Sequence, residues 1–525
     1  MRSINIVNFL RGSEPRSAVD LLLPAQKQME LVKARNLPAT WLLQYDALVE
    51  GPYVEFLRSN MAKSHEVGLW FEMNRQHCEA AGVEWRGRPG LTWDSHPDVA
   101  FTIGYTPDER KKLADAAMQG FKRIWGFYPR SIASWNLDSF TIGYLAEKYP
   151  GAVQALAVCR DQIATDGFTI WGAPIAGYYP SKRNCWSPAT RTQEQIKIPI
   201  FRMLGQDPVY YYDNQFKLPD GRTIREPDTM EPVWTSGRDQ TFIDRFLKMI
   251  SADPTLQFAY AQLGQENNFG WESMEPAYER QMDALVKLRD AKSVTFETMG
   301  ETGRRFIERF DLTPTQAQVM LDDPFGNTDP AERSIWYQSR FYRANLHIRG
   351  DLAYLRDLTV YSDEHKQPFL ESATRDREVH QRLPAMLDGF HWRRDGVDGE
   401  PGAGGFFSVA GEAVRVTGRP IVTEKGDTMH VELPIAGERT LHVTFEETKM
   451  HVRGVSKQRT SSVGLAFRWN ATKAALVDVA ATRASYRWET LDYAMKIVSG
   501  HAALDSDGFI ITSKPGELLS LSLDQ

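Results

Sequence analysis

The residues with the most chemical promise are carboxylates that follow short apolar runs. The stretch Phe258–Trp271, FAYAQLGQENNFGW, carries an aromatic-rich run into Gly264, Gln265, Glu266, Asn267 and Asn268 and closes on Phe269, Gly270 and Trp271. Comparable tips put Asp46, Glu72, Asp138, Asp161 and Asp207 after apolar runs, and Asp166 lies in an aromatic insertion. Cleaving a glycosidic bond needs two carboxyls, one to donate a proton and one to act as nucleophile or base. Each acid taken alone also fits an ion pair or a helix cap. Taken together they fit one site, provided that something brings the tips to a common face.

The surrounding pattern supplies that arrangement. Apolar runs Ile4–Leu10, Thr40–Gln44, Val67–Phe71, Ser131–Trp135, Ala155–Val158, Ile198–Leu204, Phe258–Leu263 and Ser293–Phe296 alternate with amphipathic stretches such as Thr106–Trp125 and Met274–Ala291. Eight strands alternating with helices predict an α/β fold, a (β/α)7-8 barrel, whose strand ends share one mouth. Two insertions break the alternation, Glu84–Tyr105 and Thr165–Pro188, both rich in aromatic residues. Ser334–Arg356 shows apolar residues at helical spacing and predicts a packing helix. The Gly- and Asp-rich stretch Asp395–Gly405 reads as a linker, and the alternating runs after it (Met429–Leu433, Thr440–Phe445, Met450–Val452, Val463–Trp469) predict an antiparallel β-sandwich. The expected organisation is therefore a barrel over 1–303, a helical segment over 304–394 and a sandwich over 395–525.

Composition narrows the partners. With 62 basic against 68 acidic residues, the formal charge of -6 argues against a general nucleic-acid or membrane-surface binder. The 14 Trp and 19 Tyr favour sugar rings as the partner, because flat aromatic faces stack on them. Trp70, Trp135, Trp171 and Trp271 are the candidate platforms, and Asp46, Asp161 and Gln265 are candidates to hold hydroxyls. Arg11, Arg16 and Arg202 suit a substrate carboxylate, as in a uronate. Cys78, Cys159 and Cys185 show no CxxC spacing and read as free buried thiols. A divalent metal is the main rival chemistry, with Asp46, Asp94, His65, His77 and His96 as conceivable ligands, but HxxxH and HExxH spacings are absent, and no cofactor is expected. Nucleophilic Ser or Cys chemistry lacks GxSxG, and phosphate-cradling glycine loops are missing. The start of the chain lacks the pattern of a secretory signal, so a cytoplasmic location is expected.

The ordered strings NFLRGSEPR, WLLQYDAL, HEVGLWFEM, WRGRPGLTWDSH, YPRSIASWNLDS, CRDQIATDGFTIWG, FRMLGQDPVY, QLGQENNFGW and SIWYQSRFYRANL resemble a bacterial domain-of-unknown-function family over most of the first 390 residues. That family's barrel is similar to the glycoside hydrolase/deacetylase superfamily, which includes polysaccharide deacetylases and glycoside hydrolase families 38 and 57. HEVGLWFEM stands where deacetylases carry a metal-binding His motif, with Glu66 and Glu72 in place of the second His, and the first strand ends in Arg11 and Glu14 instead of paired Asp. Families 38 and 57 place a nucleophile after the fourth strand, which implies Asp138, and family 57 places its acid on a later strand, which implies Glu266. The resemblance thus implies a glycoside hydrolase with Asp138 as nucleophile or base and Glu266 as general acid, and Glu72, Asp166 and Asp207 as alternates. A metal-dependent deacetylase, a polysaccharide lyase and a non-catalytic glycan binder are the alternatives.

Overall fold

The computed structural model of the protein describes residues 1–158, 167–203, 216–217, 223–224, 230–322, 332–394, 401–456 and 459–525. Asp161, Asp166, Asp207 and Cys159 therefore lie outside the described residues, as does the 395–400 part of the expected linker.

All eight predicted strands are present. Seven run parallel: β1 (Arg2–Leu10), β2 (Ala39–Leu43), β3 (His65–Trp70), β4 (Ser131–Ala133), β5 (Ala155–Val158), β6 (Ile200–Arg202) and β7 (Ala259–Leu263). Their order in the sheet is β7-β1-β2-β3-β4-β5-β6. The eighth, β8 (Thr295–Phe296), pairs with Ser3 and Ile4 at the foot of β1 and adds no further stave. The ring nearly closes, and side chains fill the seam between β6 and β7. Phe201 stacks on Tyr260 with centroids 4.9 Å apart and meets Phe258 at 5.9 Å. A Cβ on Gly177, on the short strand that edges β6, would fall 2.5 Å from the Phe258 ring, so glycine lets the strand close over these rings.

The strands are buried on both faces because helices cover them, which is why they read as apolar runs without alternation. The helix predicted at Thr106–Trp125 is α1 (Pro107–Trp125), started by a Thr106–Glu109 capping box and stopped at Gly126 in the left-handed region. A later helix, α2 (Met299–Arg309), plugs the amino-terminal end of the barrel. Asn5 Nδ2 donates to Glu297 O and Thr302 Oγ1, and Phe306 packs edge-on against Phe201 and Phe258.

The carboxyl-terminal half corrects two expectations. Ser334–Arg356 is not a helix; it holds strands Glu332–Gln338 and Tyr342–Arg349 and the first part of Leu352–Val360. The physical reason is burial on both faces. Ile175 N donates to Gln338 Oε1 and Arg343 Nη1 to Ala173 O on the barrel side, while Tyr337 stacks on Phe445 of the second sheet. With no solvated face there is no period-two alternation to read. Nor does the sandwich begin at 395. One sheet joins Gln316–Met320 and these three strands to Gly404–Val409, Val463–Arg468, Gly508–Thr512 and His501–Asp505. Gly404 and Gly405, at the end of the expected linker, already belong to a strand of that sheet. The second sheet contains the predicted runs at Met429, Thr440 and Met450, and the predicted run at Val463 lies in the first; both sheets share one apolar core.

Candidate functional site

The carboxyl ends of the strands gather the tips. Phe9 of β1 stacks on Trp70 of β3 with centroids 3.9 Å apart, and Trp135 beyond β4 meets Trp70 edge-on at 5.3 Å. These rings form an apolar floor, and two of the proposed platforms, Trp70 and Trp135, are fixed within it at 2% exposure. Two residues further along β1 and β3, on the same faces, come Arg11 and Glu72.

Glu266 reaches the same point from β7. At Gly264, φ is +131° and a Cβ would fall 2.0 Å from Val7 O, so only glycine lets the chain leave β7 this close to β1. Asn267 then clamps the turn to β1: its Oδ1 accepts from Arg11 N at 2.9 Å and its Nδ2 donates to Arg11 O and Leu21 O. Asn268 Nδ2 donates to Glu14 Oε2 at 2.7 Å. The amides that stand out in the sequence are thus the fastenings of the turn that carries Glu266.

The result is a guanidinium shared by two carboxylates. Arg11 Nη1 donates to Glu72 Oε2 at 2.5 Å and Nε to Glu266 Oε2 at 2.8 Å. Arg11 is 1% exposed, Glu72 0% and Glu266 6%. Through the rigid guanidinium the two bonded carboxylate oxygens lie within about 8 Å of each other. Arg11 also lies 4.1 Å from the Trp93 ring centre, and Arg16, paired with Glu14, lies 4.5 Å from it. Fully ionised, the Glu72–Arg11–Glu266 trio carries one net negative charge; with one proton it is neutral.

Around the trio, several polar atoms are buried with no hydrogen-bond partner among the described residues. They are both side-chain atoms of Gln44, Trp70 Nε1, Glu72 Oε1, Asn136 Nδ2 and Gln265 Oε1, at or just beyond the tips of β2, β3, β4 and β7. Such atoms occur in other parts of the fold as well; those at this mouth are donors and acceptors available to a polar ligand or water.

Asp138 belongs to a different network. It caps the helix Ser139–Lys148, accepting from Thr141 N and Oγ1, and its Oδ1 accepts from Arg110 Nη1 at 3.0 Å, with both charges fully buried. Glu266 is joined instead, through Arg11, to Glu72, one of the three alternates. Asp46 accepts from Gly12 N, Ser13 Oγ and Ala47 N, and burial, outweighing those bonds, raises its carboxyl above the usual range. Trp171 stacks on Phe390, Trp271 packs near Tyr278, and both are buried. Arg202 is buried with no hydrogen-bond partner among the described residues. Gln265 Nε2 donates to Glu231, which also accepts from Trp234 Nε1. Glu231, Trp234 and Trp93 did not emerge as site residues from the sequence; the Trp-rich insertion around Trp93 was its one visible signal.

A cleft of about 910 Å³ lies at the opposite, amino-terminal end, among His65, Arg130, Gln154 and Glu301, and Asp46, Glu72, Asp138 and Glu266 do not line it.

No family model and no curated protein matches the chain. Solved structures do. A glycoside hydrolase/deacetylase-type protein from Parabacteroides distasonis aligns with a TM-score of 0.54 at 16% identity, over 73% of this chain and 90% of that one. A polysaccharide deacetylase-type protein from Mycobacterium smegmatis aligns at 10% identity over 59% of this chain and 92% of that one, with a TM-score of 0.34. The first likeness shows that this chain shares the fold of that structure over most of both chains.

The side chains conceivable as ligands for a divalent metal are engaged with other groups of the protein among the described residues. A guanidinium already lies between Glu72 and Glu266, and a metal beside it would add cation to cation. Asp94 is chelated by Arg88 at 2.9 Å through both Nε and Nη2 and meets His96 Nδ1 at 2.8 Å. Burial works to raise its carboxyl, but Arg88 and His96 hold it below the usual range. His65 lies at the foot of β3, and His77 is buried between Tyr45 and Phe71. Among the described residues, no three His, Cys, Asp or Glu side chains form a metal-binding group. Among them too, no helix is long and apolar enough to cross a membrane.

Proposed function

We propose that the protein is a carbohydrate-active enzyme, a glycoside hydrolase whose carboxylate pair is Glu72 and Glu266. The observation that carries this reading is the pair's geometry: two acids on one guanidinium, at the carboxyl mouth of a barrel, with buried polar atoms at the strand tips that have no hydrogen-bond partner among the described residues. A sugar presents many hydroxyls that such atoms can satisfy, and a separation of no more than about 8 Å is compatible with the ~5–5.5 Å of retaining pairs and the lower part of the ~6.5–9.5 Å of inverting ones. Glu266 protonates the leaving oxygen, while Glu72, with Oε1 uncommitted, serves as nucleophile or as base for water. Arg11 fixes both carboxylates and compensates the charge that moves between them. Asp138 holds a helix and a buried arginine in place, outside the chemistry.

The test is a screen of the purified protein against a panel of oligosaccharides, read by product mass with and without a chelator. A product heavier by one water per cleaved bond, formed equally with chelator, supports the reading. Loss of acetyl groups only, an unsaturated product, or activity abolished by the chelator overturns it.

A further inference from the structure

The rim of the same mouth carries a feature that the acid pair does not use. Trp234 is 40% exposed, whereas the four tryptophans proposed from the sequence are each 8% exposed or less. It is held at two edges: its Nε1 donates to Glu231 Oε2 at 3.2 Å, and Phe269 meets it edge-on with centroids 5.7 Å apart. A fixed ring with so much exposed surface is a preorganised stacking platform, costing little entropy when a ligand lies on it. It is also close to the acids in the chain of contacts, since Glu231 accepts from Gln265, the neighbour of Glu266, and Phe269 ends the same turn.

Beside the platform is a cleft of about 440 Å³ lined by Arg238, Glu272, Ser273, Pro276, Ala277 and Arg280. Arg238 stands one helical turn after Trp234, its N–H donating to Trp234 O at 3.1 Å. The helix Trp271–Ala291 starts alongside: Phe269, just before it, touches Trp234, and Ser273 O in its first turn accepts from Arg238 Nη2 at 2.6 Å. The platform and the cleft are therefore successive steps of one surface. Both arginines are anchored at backbone carbonyls, Arg238 at Pro232 and Ser273 and Arg280 at Arg238. Among the described residues, neither forms an ion pair with a carboxylate. Counting Glu272, the lining keeps one net positive charge.

An aromatic face next to two guanidinium groups with no carboxylate partner among the described residues matches a sugar that carries its own carboxylate. The ring face stacks on the indole, and the carboxylate takes the charge-assisted bonds that arginine forms well. We infer that Trp234, Arg238 and Arg280 form an outer subsite for a uronic acid residue, so that the substrate is an acidic polysaccharide passing over this rim. The inference rests on the proposed carbohydrate activity but uses residues outside the acid pair.

Binding is measured by calorimetry on Glu266→Gln protein, which removes turnover, with oligogalacturonate and a neutral gluco-oligosaccharide of equal length as probes. The expected result is tighter binding of the acidic oligosaccharide, weakening with added salt. Trp234→Ala and the Arg238→Gln/Arg280→Gln double variant each reduce that affinity at least tenfold, with melting temperatures unchanged. Equal binding of the two probes, no binding of either, or acidic binding untouched by both rim variants overturns the inference. The tests separate the two claims: loss of rim binding leaves the Glu72–Glu266 assignment standing, and full activity of Glu266→Gln removes that assignment without touching rim binding.

Discussion

Replacing Arg11 with Met keeps much of the stem's packing and removes only the cation between two buried carboxylates. Arg11 and Glu72 are 1% exposed or less and Glu266 6%, so the stranded charges have little water to turn to. Breaking a buried ion pair by deleting one partner costs about 3–5 kcal/mol, and Arg11 serves two partners, so the loss should reach at least the upper part of that range. The cost should also depend on pH. In the variant the folded state would favour the protonated form of at least one acid, so stability should rise as pH falls from 7 toward 5 and the deficit should shrink. Urea denaturation followed by tryptophan fluorescence at several pH values measures both effects. Adding Glu72→Gln to Arg11→Met should recover part of the loss, because one stranded charge is gone. A deficit below about 1 kcal/mol, or one that stays constant across this pH range, would refute the view that the trio is electrostatically coupled.

Three other outcomes follow from the same contacts. Asp138→Ala removes a helix cap and strands buried Arg110, so it should cost about 3–5 kcal/mol in denaturation, whereas the milder Asp138→Asn should keep activity wherever it folds. Gly264→Ala should fail to give soluble, folded protein or lower its melting temperature by many degrees, since the new Cβ meets the β1 backbone. His77 and His365 are both lowered to about 4 by burial, offset at His77 in part by a hydrogen bond to Leu113 O. The unfolded chain takes up these protons below about pH 6.5 and the folded chain does not, so stability is lost as pH falls from 6.5 through 4, by about 3 kcal/mol per histidine at most. His77→Gln should flatten that decline in a pH series of denaturation curves.

The barrel was legible because buried parallel strands leave uninterrupted apolar runs, and each of the eight could be located. The strand-tip acids were legible as a set, but their partners were not. Asp138 and Glu266 are equally plausible in sequence, and only tertiary contacts show that Arg110 takes one and Arg11 the other. Glu72 lay among the alternates because nothing local ties it to Arg11, 61 positions away. Trp70 looks like a platform and is floor, while Trp234, which has a free surface, stands in an unremarkable stretch, EPVWTSGR. Exposure of a single ring depends on neighbours distant in sequence. The same holds for Ser334–Arg356, where a second packed layer erased the alternation that identifies a strand.

The central claim is that Glu72 and Glu266 act together on a glycosidic bond. Its most direct test is the turnover of Glu72→Gln and Glu266→Gln on the oligosaccharide that the wild-type protein cleaves, with melting temperature measured alongside. The account predicts that each variant stays folded and loses at least a hundredfold in kcat. Either variant turning over at the wild-type rate would contradict it.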